Sequence, residues 1–562
     1  MTSAPRAGWA VGSDAELAHR WRGRRFADRL PIPPTLAARL EEQAARRGGD
    51  PYLTAVAPDG SAGTVTYAEV GQLTGRLAGW LRADLELRPG EPVGLLPVND
   101  LPSALAVLAL LRSGCPALLL PPDGPPDRHR RQLRAAGARL ALRSPAVPAG
   151  ALPEALPLPA PAALPDRPTP PAADLDPASA ALCFGTSGST AESKLVVQSH
   201  YNAVVNAEAV RRHHRLSAGD RFLGCLPVHH VNGLHFTLLG TLWSGAHAVL
   251  AGGFDPFGYP GLVERFRPRV ASVVPSILEA LVETWRRPPP AGLDHLVSAA
   301  APLPARTARA VLDRLGVRVV QGYGLTETVN FATTLPVDLP EPEYRRLVLD
   351  AEVPAVGTAV TGNEVAVLVD GQPAPPGTRG EVCVRGHNVM TGYLGNPEAT
   401  AEAFAGGWFH TRDLGHEVVG ADGRRHLVLT GRTKNVAKVQ GESVSLEEID
   451  RVLLSVPGIR DAASVAVPDR FLGERIVTGI VTGAGPDGPA GLDGPARADG
   501  ADGLDERVRA ALGAALPARL GPRRIVRLER IPRTPTGKVL RPQLAETLRD
   551  RDDGDPAPPG AR

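Results

Sequence analysis

Residues 182–198, LCFGTSGSTAESKLVVQ, constrain the fold more than any other stretch of this chain. Two short apolar runs, 181–184 and 195–197, flank an unbroken series of Gly, Ser and Thr at 185–190, followed by Ala191, Glu192, Ser193 and Lys194. The pattern predicts a strand, a flexible turn and a second strand or a helix start. Such a turn offers backbone N–H groups and hydroxyls that can wrap a polyanion, with one cation at its far end. It is not the P-loop pattern, which needs Gly-Lys-Ser/Thr, because here Ser193 precedes Lys194. On its own the run would also suit a solvated loop.

Lysine usage tips the balance. Of 62 lysines and arginines only four are lysine: Lys194, Lys434, Lys438 and Lys538. An ammonium on a thin stem is a compact point charge, whereas a guanidinium is a planar fork. A chain that uses arginine wherever arginine serves keeps lysine where the point charge matters. Lys194 closes the Gly/Ser/Thr turn, Lys434 and Lys438 lie in GRTKNVAK, and Lys538 lies in PRTPTGK.

At 562 residues the chain exceeds one hydrophobic core, so two or more domains are expected. The 62 basic and 60 acidic residues nearly cancel, which removes the electrostatic case for nucleic acid as a partner. Proline and glycine are abundant, yet 43% of residues are hydrophobic, as in a globular protein with Pro-rich connections. Cys115, Cys183, Cys225 and Cys383 show no paired spacing, so neither a zinc knuckle nor a disulfide framework is expected. No secretory leader and no membrane span are read, and the expected location is the cytoplasm.

Along the chain, residues 1–35 read as a loosely attached arm. Helices are predicted at 36–47, 66–84 and 102–112, with strands at 92–97 and 117–120, a strand–helix–strand unit that argues for a parallel sheet. Residues 144–178, rich in Pro and Ala, read as a tether or extended surface loop. A helix at 202–215 and a strand at 222–227 lead into His229, His230, Val231, Asn232 and Gly233. The pair His229/His230 with His235 invites a metal reading. Adjacent residues point opposite ways on a strand, however, and no carboxylate or cysteine completes a ligand set, so one histidine facing a pocket is preferred. Strands at 270–275, 296–301 and 317–321 each end in small or polar residues. In open parallel sheets ligands sit beyond the strands' carboxyl ends, which suggests one shared cleft. Beyond about 351 the pattern turns to short alternating strands and an Asp422-Gly423 hairpin. A smaller domain follows, with a helix capped by Ser445 and Glu448, an exposed insertion at 483–503 and a disordered tail at 549–562.

Taken in order, these segments resemble the ANL superfamily of adenylate-forming enzymes, which includes acyl-CoA synthetases, nonribosomal peptide adenylation domains and luciferase. The resemblance spans roughly 36–548 and rests on TSGSTAESK (186–194), LPVHHVNGL (226–234), SAAAPL (298–303), QGYGLTE (321–327), GEVCVRG (380–386), GYLGNPEAT (392–400), GWFHTRD (407–413), GRTKNVAKVQGESVSLEEID (431–450) and PRTPTGKVLR (532–541). It implies an α/β fold: a large N-terminal AMP-binding domain (36–431) of stacked, mainly parallel sheets with helices and a small β-barrel-like part, and a smaller mobile α+β C-terminal lid (432–548).

The family chemistry joins a carboxylate to ATP, giving acyl-AMP and pyrophosphate, then passes the acyl group to a nucleophile, usually a thiol. The resemblance assigns Thr186, Ser187, Gly188, Ser189, Thr190 and Lys194 to the β- and γ-phosphates, Ala300, Ala301, Pro302 and Tyr323 to the adenine, and Gln321 and Gly322 to ATP binding. It assigns Thr326 to the α-phosphate, Glu327 to Mg²⁺, and Asp413 with Arg432 to the ribose. Lys538 would bridge carboxylate and α-phosphate, Lys434 would sit at the hinge, and Lys438 and Gly441 would face the thiol. Two positions depart from the family's loop, Ala191 and Ser193, where Gly and Pro are usual. Were residue 191 to need φ > 0, alanine would be strained there by about 1 kcal/mol.

His230, Val231 and Asn232 would line the acid pocket, with His230 also counted among the catalytic residues beside Lys538, Thr326 and Glu327. Amino-acid-activating relatives carry an Asp at the position of Val231, so an aliphatic or aryl acid is expected rather than an α-amino acid. The acceptor is CoA or phosphopantetheine, the latter on an acyl carrier protein, and the enzyme a monomer or homodimer. The alternatives are an adenylating enzyme with a non-thiol second step (amide formation or nitrite-dependent diazotisation) and a non-catalytic nucleotide-binding protein. On the leading reading, Lys538→Ala abolishes most acyl-AMP formation while thiol transfer from preformed acyl-AMP survives. Assays of the two half-reactions check this, and equal loss in both contradicts the division of labour.

Overall fold

In the computed structural model the described residues are 13–172, 174–186, 194–440, 442–469, 472–483, 501–534 and 537–549. The chain divides into two compact units, one made of Met1–Thr378, Val382–Thr411 and Glu417–Val428, the other of Arg379–Glu381, Arg412–His416 and Leu429–Arg562.

The larger unit contains two main sheets. In the nine-stranded one, Arg318–Tyr323, His295–Ser298, Val270–Val273, Arg221–Gly224, His247–Ala251 and Pro51–Val56 lie side by side in parallel. Antiparallel strands occur only at its edges. The parallel centre is what short, wholly buried apolar strands joined by helices should form, since helices then cover both faces. The seven-stranded sheet places Leu195–Ser199 and Ala180–Gly185 beside Ala117–Leu119, Val93–Leu96 and Ala141–Arg143. One core joins the two sheets. Leu95, Leu182 and Phe184 of one and Leu53, Ala248 and Leu250 of the other pack with Leu105, Leu108 and Leu111 of the helix Leu101–Ser113. That helix is almost entirely buried. It starts where the Asp100 side chain accepts from the Ser103 amide and ends at Gly114, whose φ is 67°.

Two stretches are more firmly packed than their composition suggests. The segment 144–178 is no free tether: Leu156–Pro157 pairs in parallel with Ala141–Arg143, and Val147, Leu152, Leu158 and Leu164 are buried. Its backbone lies along the helix Tyr67–Ala83, where the Thr169 amide donates to the Gly75 carbonyl (2.9 Å) and Arg112 Nε donates to the Thr169 carbonyl (2.8 Å). Isolated leucines among prolines carry no periodic signal, so only the packed chain reveals them. Likewise residues 13–33 do not hang loose. Phe26 stacks edge-on against Tyr201 at 5.0 Å, and the Leu30 amide donates to the Tyr201 hydroxyl.

The smaller unit is an α+β fold. Glu442–Ser445, Val436–Val439, Gly473–Thr482 and Ile459–Asp469 form an antiparallel sheet, and Arg524–Arg527 adds in parallel to Gly473–Thr482. The helices Leu446–Leu454, Ala501–Ala515 and Arg541–Arg549 complete the unit. Most of the predicted 483–503 insertion and the tail beyond 549 lie outside the described residues.

The docking of the Pro-rich segment makes a sharp prediction. A Cβ at Gly79 would sit 1.8 Å from the Arg167 carbonyl oxygen. Gly79→Ala must push the segment off its helix, at a cost of roughly 2 kcal/mol. A lower first unfolding transition and new protease cleavage within 161–172 are the expected readouts.

Candidate active site

The strand Ala180–Gly185 runs antiparallel to Leu195–Ser199, with Gly185 opposite Leu195 and Leu182 opposite Gln198. The turn between them is closed where the Thr186 amide donates to the Lys194 carbonyl at 2.9 Å. Ser187, Gly188, Ser189, Thr190, Ala191 and Ser193 lie outside the described residues, and so does the question of φ at Ala191. Lys194, at the exit of the turn, has an exposed side chain.

Gln321, Gly322 and Tyr323 close the strand Arg318–Tyr323, and all three are buried. Gly324 follows, and no larger residue fits: its Cβ would lie 1.7 Å from the Asn330 carbonyl oxygen. The chain then makes a short turn at Thr326–Thr328 and reverses through Val329, which has φ 64° and ψ −48°. With the Asn330 amide donating to the Thr328 carbonyl (2.7 Å), this is a γ-turn of the positive-φ kind, strained for a β-branched residue. The strain is held from outside. Gln198 Nε2 donates to the carbonyls of Thr326 (2.9 Å) and Val329 (3.3 Å), and the Met390 amide donates to Glu327 (2.7 Å). Asn388 Nδ2 donates to the carbonyls of Thr328 (3.3 Å) and Phe331 (3.0 Å). A loop fixed by its carbonyls leaves its side chains to other work.

Glu327 is presented by this loop, half-buried, with the Tyr393 hydroxyl donating to Oε1 at 3.0 Å. Lys194 Nζ stands 4.7 Å from the centroid of the same tyrosine ring. The structure thus brings Lys194 and Glu327, 133 residues apart in the chain (327 less 194), onto one aromatic side chain. A partly buried carboxylate beside a phenol hydroxyl offers the oxygen donors that a hard cation such as Mg²⁺ takes.

The LPVHH turn is pinned by Asn99. Its Nδ2 donates to the carbonyls of Leu226 (3.1 Å) and Ala251 (2.9 Å), and its Oδ1 accepts from the Val228 amide. His229 and His230 lie past the end of the strand Arg221–Gly224, not on it. Their rings therefore sit side by side at 4.4 Å instead of pointing apart. Burial pushes His229 down to about 3 and lowers His230 as well, against an upward pull from Asp123, so both stay neutral near pH 7. Val231 is half-buried and packs against the main core. Asn232 Oδ1 accepts from the Ser272 hydroxyl at 3.0 Å. Beyond the strand His295–Ser298, Ala300 holds φ 72°, and Ala300 and Pro302 are exposed while Ala301 is half-buried.

The other assigned residues belong to the smaller unit. Asp413 is buried and pairs with Arg432 at 2.6 Å. Lys434, on the next turn, has its ammonium pushed below the usual lysine range by desolvation first and by the like charge of Arg432 second, although its side chain reaches solvent. Lys438 lies on the strand Val436–Val439 with an exposed side chain, and its amide donates to Glu474 Oε2. Gly441 lies outside the described residues. The Lys538 amide donates to Thr534 Oγ1 (3.1 Å), and its carbonyl accepts from the Thr534 amide (2.8 Å).

A family model described as "AMP-binding enzyme" matches residues 40–394, and one described as "AMP-binding enzyme C-terminal domain" matches 448–538. A sulfoacetate–CoA ligase of Cupriavidus necator is 34% identical over 80% of this chain and 88% of its own. A feruloyl-CoA synthase of an Amycolatopsis species is 32% identical over 88% of this chain and 96% of its own. Among solved structures, an amide bond synthetase from Marinactinospora thermotolerans superposes with a TM-score of 0.76 at 26% identity, covering 92% of this chain and all of that one.

Tyr393 and Gln198 lie inside stretches that the sequence singles out, yet neither is given a role there, and His235 enters only as a third histidine beside His229 and His230. A tyrosine that touches both a lysine and a carboxylate is visible only in three dimensions. Tyr393→Phe keeps the ring beneath Lys194 and removes only the hydroxyl bound to Glu327. Losing a hydrogen bond to a charged group should slow acid activation about tenfold with little change in stability. Steady-state kinetics beside a melting curve check this.

Proposed function

The chain belongs to the family of AMP-binding enzymes, and from that premise we propose that it activates a carboxylic acid as an acyl-adenylate and transfers the acyl group to the thiol of CoA. In the first step an acid oxygen attacks the α-phosphorus of ATP, the bond to the bridging oxygen breaks, and pyrophosphate leaves. In the second the thiolate attacks the acyl carbon and AMP leaves. Two anions meet in the first step, so positive charge must stand where negative charge accumulates.

On this reading the turn at 186–190 and Lys194 hold the β- and γ-phosphates, and Thr326 touches the α-phosphate. Tyr323 and Ala300–Pro302 enclose the adenine, and Asp413 receives the ribose hydroxyls with Arg432 beside it. Lys538 supplies the charge between carboxylate and α-phosphate. Lys434 serves as the hinge about which the smaller unit turns, and Lys438 and Gly441 serve the thiol step. Mg²⁺, held by Glu327, would neutralise the phosphates. The observation that supports the proposal is the convergence of Lys194 and Glu327 on Tyr393, with Lys194 ending the Gly/Ser/Thr-rich stretch whose composition suits phosphate.

For the acid, the reading is an aliphatic or aryl carboxylic acid and not an α-amino acid. Val231 offers no anion to an ammonium group, and His229 and His230 stay neutral through burial. The relatives named CoA ligases favour CoA over a carrier-bound thiol as acceptor. Amide formation is the second reading, favoured by the amide bond synthetase among the structural neighbours.

The test is pyrophosphate exchange across a panel of acids, followed by product mass with CoA, with an amine and with neither. The expected result is acid-dependent exchange and a CoA thioester. An amide alone would move the reaction to the second reading, and no exchange with any acid would refute activation.

A further inference from the structure

Gln198 and His235 form a buried polar pair to which none of the roles above assigns a task. Gln198 lies on the strand Leu195–Ser199 that leaves the phosphate-type turn, and its side chain is fully buried. His235 lies in the π-helical segment Asn232–Leu239 that begins at the proposed acid pocket, and it is also fully buried. Its Nε2 is 2.7 Å from Gln198 Oε1. The hydrogen-bond sense is forced. Gln198 Nε2 faces two carbonyl oxygens, Thr326 and Val329, which only accept, so both amide hydrogens are committed and Oε1 must accept. His235 therefore carries its proton on Nε2, and its Nδ1 is buried with no hydrogen-bond partner among the described residues. Burial pushes the imidazole down to about 3, which keeps it the neutral donor this arrangement needs.

We propose that Gln198 and His235 are positioning residues that hold the Thr326–Val329 turn in its strained shape and tie it to the segment carrying His230, Val231 and Asn232. The proposal rests on the acid-activation reading, because it assigns the turn's shape a role in placing Thr326 and Glu327 on the nucleotide. A positive-φ valine persists only where its surroundings over-determine it. Gln198 bridges the first and last carbonyls of the turn, and His235 fixes which way the amide faces. The strand from the phosphate-type turn, the helical segment from the acid pocket and the Glu327 loop thus share one hydrogen-bonded junction. A purely packing role would make a different demand. Two buried polar partners replaced together by apolar groups of similar shape can leave a protein nearly unaffected.

The test compares Gln198→Leu, His235→Phe, the double variant and His235→Gln in two assays. In pyrophosphate exchange, Gln198→Leu is expected to lower kcat about tenfold or more and to raise KM for ATP, with KM for the acid within about twofold. His235→Phe should fall short of that loss, the double variant should match Gln198→Leu, and His235→Gln, which keeps a donor, should recover most of the rate. Hydrogen–deuterium exchange over residues 324–332, without substrate, should quicken in Gln198→Leu and His235→Phe and return towards wild type in His235→Gln. A double variant with wild-type kinetics and exchange would reduce the pair to packing and overturn the proposal. So would unchanged hydrogen exchange in both single variants. Absence of pyrophosphate exchange in the wild type would defeat the activation reading instead, and the hydrogen-exchange arm would still decide whether the pair holds the turn.

Discussion

A loop held by its carbonyl oxygens organises the candidate site of the larger unit. The backbone from Thr326 to Phe331 accepts hydrogen bonds from two buried carboxamides, Gln198 and Asn388, and from the Met390 amide. Each of these donors replaces water that burial has excluded, so none can be removed without leaving a costly unpaired oxygen. The result is a turn strained at Val329 yet fixed in place, from which Glu327 projects at a defined angle. On the proposed reading, charge preorganised in this way costs no rearrangement at the moment of reaction.

The anchor extends outward through neighbouring elements. Asn202 Nδ2 donates to the carbonyls of His387 and Val389, and the Thr391 amide donates to Val197, so the chain at 387–393 is stitched to the strand Leu195–Ser199 and to the helix His200–His213 that follows it. Tyr393 sits at the end of that stitching and pairs beside Val196. Its ring and hydroxyl can meet Lys194 and Glu327 together because both are referred to the same strand. The residues 13–33 add a further layer, with His19 Nε2 bonded to the Met390 carbonyl at 2.8 Å. An arm of polar composition thereby braces the backbone behind the site.

The four buried cysteines bear on a different matter. Cys115, Cys183, Cys225 and Cys383 form no disulfide, and burial raises the first three to about 12, so those three thiolates are scarce, while Cys383 Sγ lies 3.6 Å from His410 Nδ1. They behave as small apolar side chains within the sheets. On the proposed reading the reactive sulfur belongs to the acceptor.

What the sequence determined by itself is local in origin. Caps such as Thr66 with Glu69, the Asp100-to-Gly114 helix and the buried four-residue strands follow from contacts within a few positions, and short-range propensities specify them. The ordered motifs and the four surviving lysines belong to the same class, since each can be read without knowing what lies opposite. The tertiary structure alone decided which polar groups meet. Gln198 reaches His235 across 37 positions and Thr326 across 128, and Tyr393 reaches Glu327 across 66. It also decided that the leucines of a Pro-rich stretch pack against a helix and that His229 and His230 stand side by side. No periodicity encodes such pairings. They depend on how sheets stack and helices wedge between them, and a side chain's partner is fixed only when that packing excludes water.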